Sequence, residues 1–397
     1  MSSFHVFIYM KDFVALFLGL SLAVAEGKLF EGHSIGLPCL PGNPCTLAFI
    51  SDNPVILRCP YEYFGAHISW QYHDPKWADK QPVTFLHAGR ASLPLLGHAK
   101  LRKLRLKSRL VVGNLYIPSP SVEDSGLYTC RAGDATLAYY LVDFQDAGHI
   151  HVSHASLGEA TLVNATVQLG KGIQAKLFTS WSPWQACDRC GHSGERKRVG
   201  FCYVQLTCKG EQKDPLPCGM VMRYCPHLPQ RGPELRVETC HVPCDTSYSL
   251  ATDESNVAPL LVLTTYHPQL DTTAYLRCPT SSIYSPVYWQ EGPTSLTRLE
   301  LLQKNSSQSL DKATGGGILR LSFQNDSHNA TYQCYVNGNL VGKFLVASPS
   351  SVPLPKEVAP TYSIIEALIV GLATFLVTLM FLSIIQSCRK KPVTTMV

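Results

Sequence analysis

The residues of this chain best suited to chemistry are its fifteen cysteines. Cys187 and Cys190 have the Cys-x-x-Cys spacing used in thiol exchange and in zinc binding. Thiol exchange would need a thioredoxin-like βαβ context, and a zinc site would need a second ligand pair at finger spacing. The sequence contains neither. We therefore interpret both cysteines as disulfide partners in an exported protein.

The sequence also lacks the motifs of common enzyme classes. It contains no Gly-x-Ser-x-Gly elbow, no His-Glu-x-x-His helix and no phosphate-binding glycine loop. We expect no enzyme activity, no cofactor and no metal site. With 397 residues, 45% hydrophobic residues and a formal charge of +5, the chain has the size of two or three domains and is not expected to bind nucleic acid.

Two apolar segments indicate an exported membrane protein. Residues 1–25 have the pattern of a signal peptide, an apolar run that ends in small residues at Ala25. A second run, Ala367–Ile385, has no charge over nineteen residues and is long enough to span the lipid bilayer. Basic residues follow it. This order predicts a single-pass type I protein of the plasma membrane, with an extracellular N-terminus.

The segment between these runs contains a cysteine pair with the spacing of a β-sandwich. Trp70 follows Cys59 by eleven residues, and Tyr128 stands two residues before Cys130. The pattern resembles an immunoglobulin domain of the variable (V) type. The resemblance implies that the cysteines bridge two sheets, that the tryptophan packs on the bridge, and that the tyrosine makes a corner hydrogen bond.

A second cysteine pair repeats this frame less completely. Cys278, Trp289 and Cys334 have the same order, but His328 and Ala330 stand where the first copy has aspartate and glycine. The separation of 56 residues suits a shorter sandwich. We predict a second immunoglobulin-like domain with an altered turn before its second cysteine.

The middle of the chain is rich in tryptophan, arginine and cysteine. It resembles a thrombospondin type 1 repeat, a ribbon in which tryptophans of one strand interleave with arginines of another. The resemblance implies cation–π contacts of Trp181 and Trp184 with Arg196 and Arg198. The module departs from the repeat in its cysteine spacing and number. We expect disulfides among eight cysteines, in an unspecified pattern: Cys187, Cys190, Cys202, Cys208, Cys218, Cys225, Cys240 and Cys244.

The order of these modules resembles the vertebrate family called "family with sequence similarity 187". Motifs in the middle and second immunoglobulin-like modules carry the resemblance, namely Gly194–Arg198, Cys202–Val204, Cys240–His241, Ser282–Tyr284, Pro286–Val287 and Trp289. The resemblance implies an immunoglobulin-like type I membrane glycoprotein and implies no particular ligand.

Two classes of extracellular ligand fit the sequence. The first is a protein, recognised or adhered to through the outer immunoglobulin-like domain. The second is a glycosaminoglycan bound by a basic stretch, in which leucines alternate with cations as in a strand that has one charged face. A charged edge strand that prevents aggregation is the alternative explanation of this stretch. Its cations are Lys100, Arg102, Lys103, Arg105, Lys107 and Arg109.

Modification and tail motifs complete the sequence. Four sequons predict N-glycosylation, at Asn164, Asn305, Asn325 and Asn329. Thr395 and Val397 match a class I PDZ ligand, which predicts a cytoplasmic PDZ partner. The tail has no tyrosine, so we expect no autonomous signalling.

The predicted fold is an all-β ectodomain in which two immunoglobulin-like sandwiches flank a small disulfide-rich thrombospondin type 1-like module, plus one transmembrane helix in the lipid bilayer. The predicted segments are a signal peptide at 1–25, an N-terminal segment at 26–45, a V-type domain at 46–153, a cysteine-rich module at 154–247, a second immunoglobulin-like domain at 248–347, a stalk at 348–362, a transmembrane helix at 363–385 and a cytoplasmic tail at 386–397.

Overall fold

The computed structural model describes most of the chain between residues 33 and 347 and a short part of its C-terminal region. The described residues are 33–34, 39–40, 42, 45–60, 68–77, 81–88, 99–170, 172–208, 210–222, 225, 227–244, 261–267, 272–304, 306–323, 329–347, 369–380 and 382. The chain forms two units, Met1–Ser348 and Pro349–Val397. The predicted signal peptide, stalk and tail lie outside the described residues.

The first sandwich consists of two sheets that enclose a buried core. One sheet has the order β1-β3-β7-β6, and the other has the order β2-β9-β8-β4-β5. The strands are β1 (His33–Ser34), β2 (Cys45–Ile50), β3 (Val55–Leu57), β4 (Ile68–His73), β5 (Val83–His87), β6 (Arg109–Val111), β7 (Asn114–Ile117), β8 (Gly126–Ala132) and β9 (Ala135–Gln145). Residues of β4 alternate between buried and half-buried positions, as a strand with one face on the core requires.

The basic stretch of this sandwich is mainly a helix, so the prediction of a strand was wrong. Helix α1 covers Ala99–Lys107, and only Arg109 belongs to a strand. Leu101 and Leu104, three residues apart, are fully buried, whereas Leu106 is 87% exposed. The alternation of leucines had indicated a strand. The helix forms because residues three apart share one face of a helix, and the core accepts Leu101 and Leu104 on that face.

Gly126, the first residue of β8, leaves room for the ring of Tyr72 in the core. A Cβ atom at this position would lie 2.6 Å from the ring of Tyr72. Tyr72 is fully buried, and its hydroxyl donates to the carbonyl oxygen of Ser125 at 2.8 Å, so the ring has no room to move. Close packing of this kind makes added methyl groups costly.

We therefore expect Gly126→Ala to destabilise the protein by about 1–3 kcal/mol, the usual cost of overpacking a core. The measurement is the thermal unfolding midpoint of the full chain. Gly42→Ala is the control, because a Cβ atom there would meet nothing within 4 Å. Equal midpoints for both variants would contradict the explanation.

The middle module forms a single sheet around its longest strand. The sheet has the order β10-β16-β13-β12-β11, and two short strands pair with β13. The strands are β10 (His151–His154), β11 (Ala165–Gly170), β12 (Ile173–Trp181), β13 (Ser193–Cys208), β14 (Glu211–Gln212), β15 (Leu216–Pro217) and β16 (Glu234–His241), with helix α2 at Cys218–Met222. The module is therefore broader than a three-stranded ribbon.

The second sandwich repeats the two-sheet plan with fewer strands. Its sheets have the orders β17-β24-β23-β19-β20 and β18-β22-β21. The elements are β17 (Val262–Tyr266), β18 (Thr273–Arg277), β19 (Val287–Glu291), β20 (Thr294–Leu296), α3 (Arg298–Gln303), β21 (Gln308–Leu310), β22 (Ile318–Ser322), β23 (Ala330–Val336) and β24 (Asn339–Val346). Short 3-10 turns occur at Val122–Asp124, Ala147–His149 and Ala155–Leu157.

The described part of the C-terminal unit is helical over 369–380. Within the described residues, no helix has the length and apolar composition needed to cross a bilayer. Residues 363–368, 381 and 383–385 of the predicted span lie outside the described residues.

Candidate functional site at the junction of the modules

The two sandwiches contain the disulfides that the sequence pattern predicts. Cys59 is bonded to Cys130 and Cys278 to Cys334, across separations of 71 and 56 residues. Trp70 and Trp289 are fully buried in the respective cores. An additional bond joins Cys39 to Cys45.

The predicted tyrosine corner occurs in the first sandwich. The Tyr128 hydroxyl donates to the carbonyl oxygen of Asp124 at 2.6 Å. In the second sandwich the Tyr332 hydroxyl donates to the carboxylate of Glu291 at 3.0 Å. Glu291 lies on the neighbouring strand β19, so this bond links two strands of one sheet.

The middle module contains the predicted contacts between tryptophan and arginine. Arg198 lies over the rings of Trp181 and Trp184, at 4.6 Å from each ring centroid. Arg196 lies 5.1 Å from the centroid of Trp184 and pairs with Glu238 at 2.5 Å. The stack therefore alternates tryptophan and arginine on one face of the sheet.

Six of the eight cysteines in this module form disulfides. The bonds are Cys187–Cys240, Cys190–Cys244 and Cys202–Cys218. Cys208 and Cys225 carry no bond, so the expectation of eight bonded cysteines was wrong for these two. Cys208 lies six residues beyond Cys202 on β13, about 20 Å along the strand. It therefore lies far from the Cys202–Cys218 bond, which joins β13 to α2.

The three modules meet in a buried junction that the sequence did not predict. Its apolar part joins Ile50 of the first sandwich to Val199 and Val237 of the middle module and Ile283 of the second sandwich. All four of these side chains are at most 4% exposed. Packing of this quality holds the modules of the first unit together as one body.

Hydrogen bonds connect the two sandwiches directly at this junction. The Tyr284 hydroxyl accepts from the backbone N–H of Ile50 at 2.7 Å. Asn53 accepts from the N–H of Ile283 at 2.8 Å and donates to the carbonyl oxygen of Ala313 at 3.0 Å. Burial raises the pKa of the Tyr284 hydroxyl above its usual range. The Ser282–Tyr284 motif of the family resemblance is thus part of a contact between modules.

Charged groups of the middle module hold the second sandwich. The Glu195 carboxylate accepts from the backbone N–H groups of Arg298 and Leu299, at 3.0 and 2.8 Å, at the start of helix α3. His154, which is fully buried, lies 3.3 Å from the same carboxylate. Burial disfavours the charge of Glu195, but these hydrogen bonds outweigh burial and hold its pKa below the usual value.

Lys197 is the buried cation of this junction. Its Nζ donates to the carbonyl oxygen of Gly315 at 2.7 Å, and the residue is 7% exposed. Burial, together with the nearby charge of Arg298, lowers the pKa of Lys197 to about 7. The protonation of this amine is therefore sensitive to pH near neutrality.

A small cavity lies between the middle module and the second sandwich. Asp188, Glu195, Lys197 and Arg298 are among its lining residues, and its volume is about 30 Å³. A cavity of this size holds only a few water molecules. No group of three or more metal-ligating side chains occurs within the described residues. The chemistry of the junction is therefore the binding of one module to the next.

The first sandwich has a junction end and a turn end. Gln145, the last residue of β9, exchanges two hydrogen bonds with the backbone of Cys202 in the middle module. Ala135, the first residue of β9, is exposed and lies about 33 Å away along the strand. The β6–β7 and β8–β9 turns lie together at this second end, since Ile68 pairs with Ala132 and approaches Gly113.

Val112, at the turn end, has a backbone conformation that valine rarely adopts. Val112 and Gly113 form the two-residue turn from β6 to β7, with φ values of +50° and +79°. Such turns favour asparagine and glycine, whereas a β-branched residue at positive φ is an outlier. The Val112 side chain is nevertheless 65% exposed. Packing in the fold therefore does not explain why valine occupies this position.

The remaining predicted sites are exposed or lie outside the described residues. Asn164 and Asn329 have exposed side chains, as a glycosylation site requires. Asn305, Asn325, Thr395 and Val397 lie outside the described residues.

Known proteins are similar in sequence to this chain along most of its length. The chain is 25% identical over 371 residues to "Ig-like V-type domain-containing protein FAM187A" of Bos taurus, which covers 86% of this chain and 85% of the relative. It is 23% and 24% identical to the proteins of that name from Mus musculus and Rattus norvegicus, over 87% of this chain and 88% of each relative. The similarity supports the FAM187 family. No family model matches the chain.

The motifs on which the family resemblance depends are far apart in sequence and close in space. Glu195 and Lys197 belong to the Gly194–Arg198 motif, and Ile283 and Tyr284 belong to the Ser282–Tyr284 motif. All four take part in the junction. Sequence reasoning missed this role because the partners that these residues have in other modules are more than 80 positions away.

Proposed function

We propose that the chain is a cell-surface immunoglobulin-like glycoprotein that recognises another protein and does not signal on its own. Within the FAM187 family, we propose that it is the B member. The proposal includes a single-pass type I location in the plasma membrane, use of the exposed sequons and a PDZ partner for the tail. It disfavours an enzyme, because the buried junction joins modules and its cavity is too small for a substrate.

The turn end of the first sandwich is the recognition surface in this proposal. The observation that supports it is Val112, an apolar β-branched side chain held at positive φ and left 65% exposed. A residue that breaks a local backbone rule without a gain in packing is expected at functional sites. Burying an exposed valine against a partner contributes about 1.5 kcal/mol or more.

The junction supports the same proposal by fixing the orientation of this surface. Ile50, Asn53 and Gln145 all lie at the other end of the first sandwich, where they contact the middle module or the second sandwich. The turn end therefore points away from these contacts. A preorganised surface of this kind loses less entropy when it binds.

The test uses cells that express the full chain, probed with an arrayed panel of purified single-pass receptor ectodomains. We expect saturable binding of at least one member and a loss of about tenfold or more in Val112→Asn, since 1.4 kcal/mol corresponds to tenfold. Asparagine tolerates positive φ, so this variant should fold at least as stably as the natural chain.

Val163→Asn is the matched control, because Val163 is 83% exposed but lies between β10 and β11 in the middle module. It should bind like the natural chain. Surface staining of every variant verifies its export. Binding that is unaffected by Val112→Asn, or a properly exported chain that binds no member, would contradict the proposal.

A further inference from the structure

Helix α1 and the start of β6 carry the six cations of the basic stretch, and two of these cations are paired within the fold. Lys100 and Lys107, seven residues apart, form ion pairs with Asp74 and Asp124. Asp124 is buried, and Lys100 also lies over the ring of Tyr72, 5.0 Å from its centroid. These two lysines therefore stabilise the first sandwich, and the carboxylates of Asp74 and Asp124 balance their charges.

Three of the other cations face solvent, whereas Arg105 is half-buried. Arg102 and Lys103 are exposed, together with Leu106, and Arg109 is exposed at the start of β6. Positions 102, 103 and 106 share one helix face because residues three and four apart are neighbours. Among the described residues, Arg102, Lys103 and Arg109 form no ion pair with an acidic side chain.

The sequence around this face contains no compensating charge. From Lys80 to Val122 the chain has eight lysine or arginine residues and no aspartate or glutamate. Asp79 and Glu123 flank this segment directly, and the next acidic residues, Asp74 and Asp124, are already paired. The outer face of α1 is therefore a local concentration of unbalanced positive charge, although the net charge of the whole chain is only +5.

We propose that Arg102, Lys103 and Arg109 form a binding site for a sulfated polysaccharide. Guanidinium and ammonium groups bind sulfate and carboxylate oxygens through charge-assisted hydrogen bonds. The face is a single helix stripe with one apolar side chain, too narrow for the apolar centre of a protein interface. Anionic lipids are concentrated on cytoplasmic membrane surfaces, which an exported sandwich does not meet.

This site goes beyond the recognition of a protein at the turn end and does not depend on it. It is also smaller than the six-cation stretch that the sequence indicated, because Lys100 and Lys107 belong to the fold and Arg105 is half-buried. A polysaccharide site at α1 and a protein site at Val112 would use different side chains of the same sandwich.

The test measures binding of the full chain to immobilised heparin as the probe. The triple variant Arg102→Gln, Lys103→Gln, Arg109→Gln should bind about 100-fold more weakly, since each cation near an anionic surface contributes about fivefold. Binding of the natural chain should fall steeply as salt is raised, because salt screens exposed charges.

Lys304→Gln, Lys312→Gln, Arg320→Gln is the matched control, since it removes the same charge from exposed positions of the second sandwich. Its affinity should stay within about twofold of the natural chain, because these charges lie on another module and are screened. Leu106→Ser should also leave heparin binding unchanged, because Leu106 carries no charge. Thermal unfolding of each variant shows whether it is folded.

Several results would overturn the proposal. The natural chain could fail to bind immobilised heparin at low salt, or the folded triple variant could bind as tightly as the natural chain. The control variant could also lose as much affinity as the triple variant. Loss in Leu106→Ser equal to that of the triple variant would indicate an acidic protein partner instead. Stronger binding to phosphatidylserine vesicles than to heparin would indicate a membrane surface.

Discussion

Removal of the Cys59–Cys130 bond should lower the free energy of unfolding of the first sandwich by about 4 kcal/mol, whereas removal of the Cys39–Cys45 bond should lower it by about 2 kcal/mol. The difference follows from the lengths of the closed loops, 71 and 6 residues. A longer loop has more conformations in the unfolded chain, so its closure removes more entropy.

The experiment compares the double variant Cys59→Ala, Cys130→Ala with the double variant Cys39→Ala, Cys45→Ala. The readouts are the urea midpoint of the full chain and the fraction that reaches the cell surface. A loss of about 4 kcal/mol is a large part of the stability of a typical domain, so the first variant should be retained in the secretory pathway. Equal effects of the two variants would contradict the assignment of Cys59–Cys130 as the central bond of the sandwich.

Replacement of Lys197 by methionine should stabilise the protein near neutral pH and remove a dependence of stability on pH. The folded pKa of Lys197 is about 7, whereas that of the unfolded chain is near 10.5. Between these values the unfolded chain holds a proton that the folded chain lacks. The free energy of unfolding therefore rises with pH across this window, by up to about 1.4 kcal/mol per pH unit. Below pH 7 the amine is charged in the folded chain as well, and the full cost of burying that charge lowers the stability.

Methionine removes this cost because it has no charge to bury and a similar length. It also loses the hydrogen bond to Gly315, which offsets about 1 kcal/mol of the gain. Replacing buried charges with apolar side chains stabilises proteins by about 1–4 kcal/mol in favourable cases. Asp188 and Glu195 act in the opposite direction, because their charges favour the protonated amine.

The measurement is the urea midpoint of the full chain from about pH 6.5 to about pH 9.5, a range that covers most of the interval between the two pKa values. Lys176→Met is the matched control, because Lys176 is exposed on the neighbouring strand β12. It should leave the slope unchanged. If the urea midpoint of Lys197→Met still rose with pH, or if the variant were less stable at every pH, burial of the charged amine would not be what destabilises the natural chain.

The sequence by itself determined the features whose partners lie at regular positions on strands. The spacing of Cys59 and Cys130 around Trp70 was enough to indicate the bond, because a V-type sandwich places those positions opposite each other. The contacts of Arg196 and Arg198 with the tryptophans were implied by the resemblance to a thrombospondin type 1 repeat, and strand alternation places the two arginines on one face.

The basic stretch shows where a local pattern becomes ambiguous. Leu104 and Leu106 suggest a strand, and Leu101 and Leu104 suggest a helix, within the same few residues. Only the core of the first sandwich distinguishes the two, because it buries Leu101 and Leu104 and leaves Leu106 in solvent. The helix then assigns Lys100 and Lys107 to Asp74 and Asp124 and leaves the other cations outside.

The junction was decided by tertiary structure alone. Asn53 meets Ile283 across 230 positions, and Glu195 meets Leu299 across 104 positions. No periodicity connects residues that far apart, since hydrophobic and polar patterns report only the face of a single element. A buried asparagine or glutamate is satisfied by whichever backbone groups the packed modules bring to it, and those groups exist at the site only after the three modules have docked.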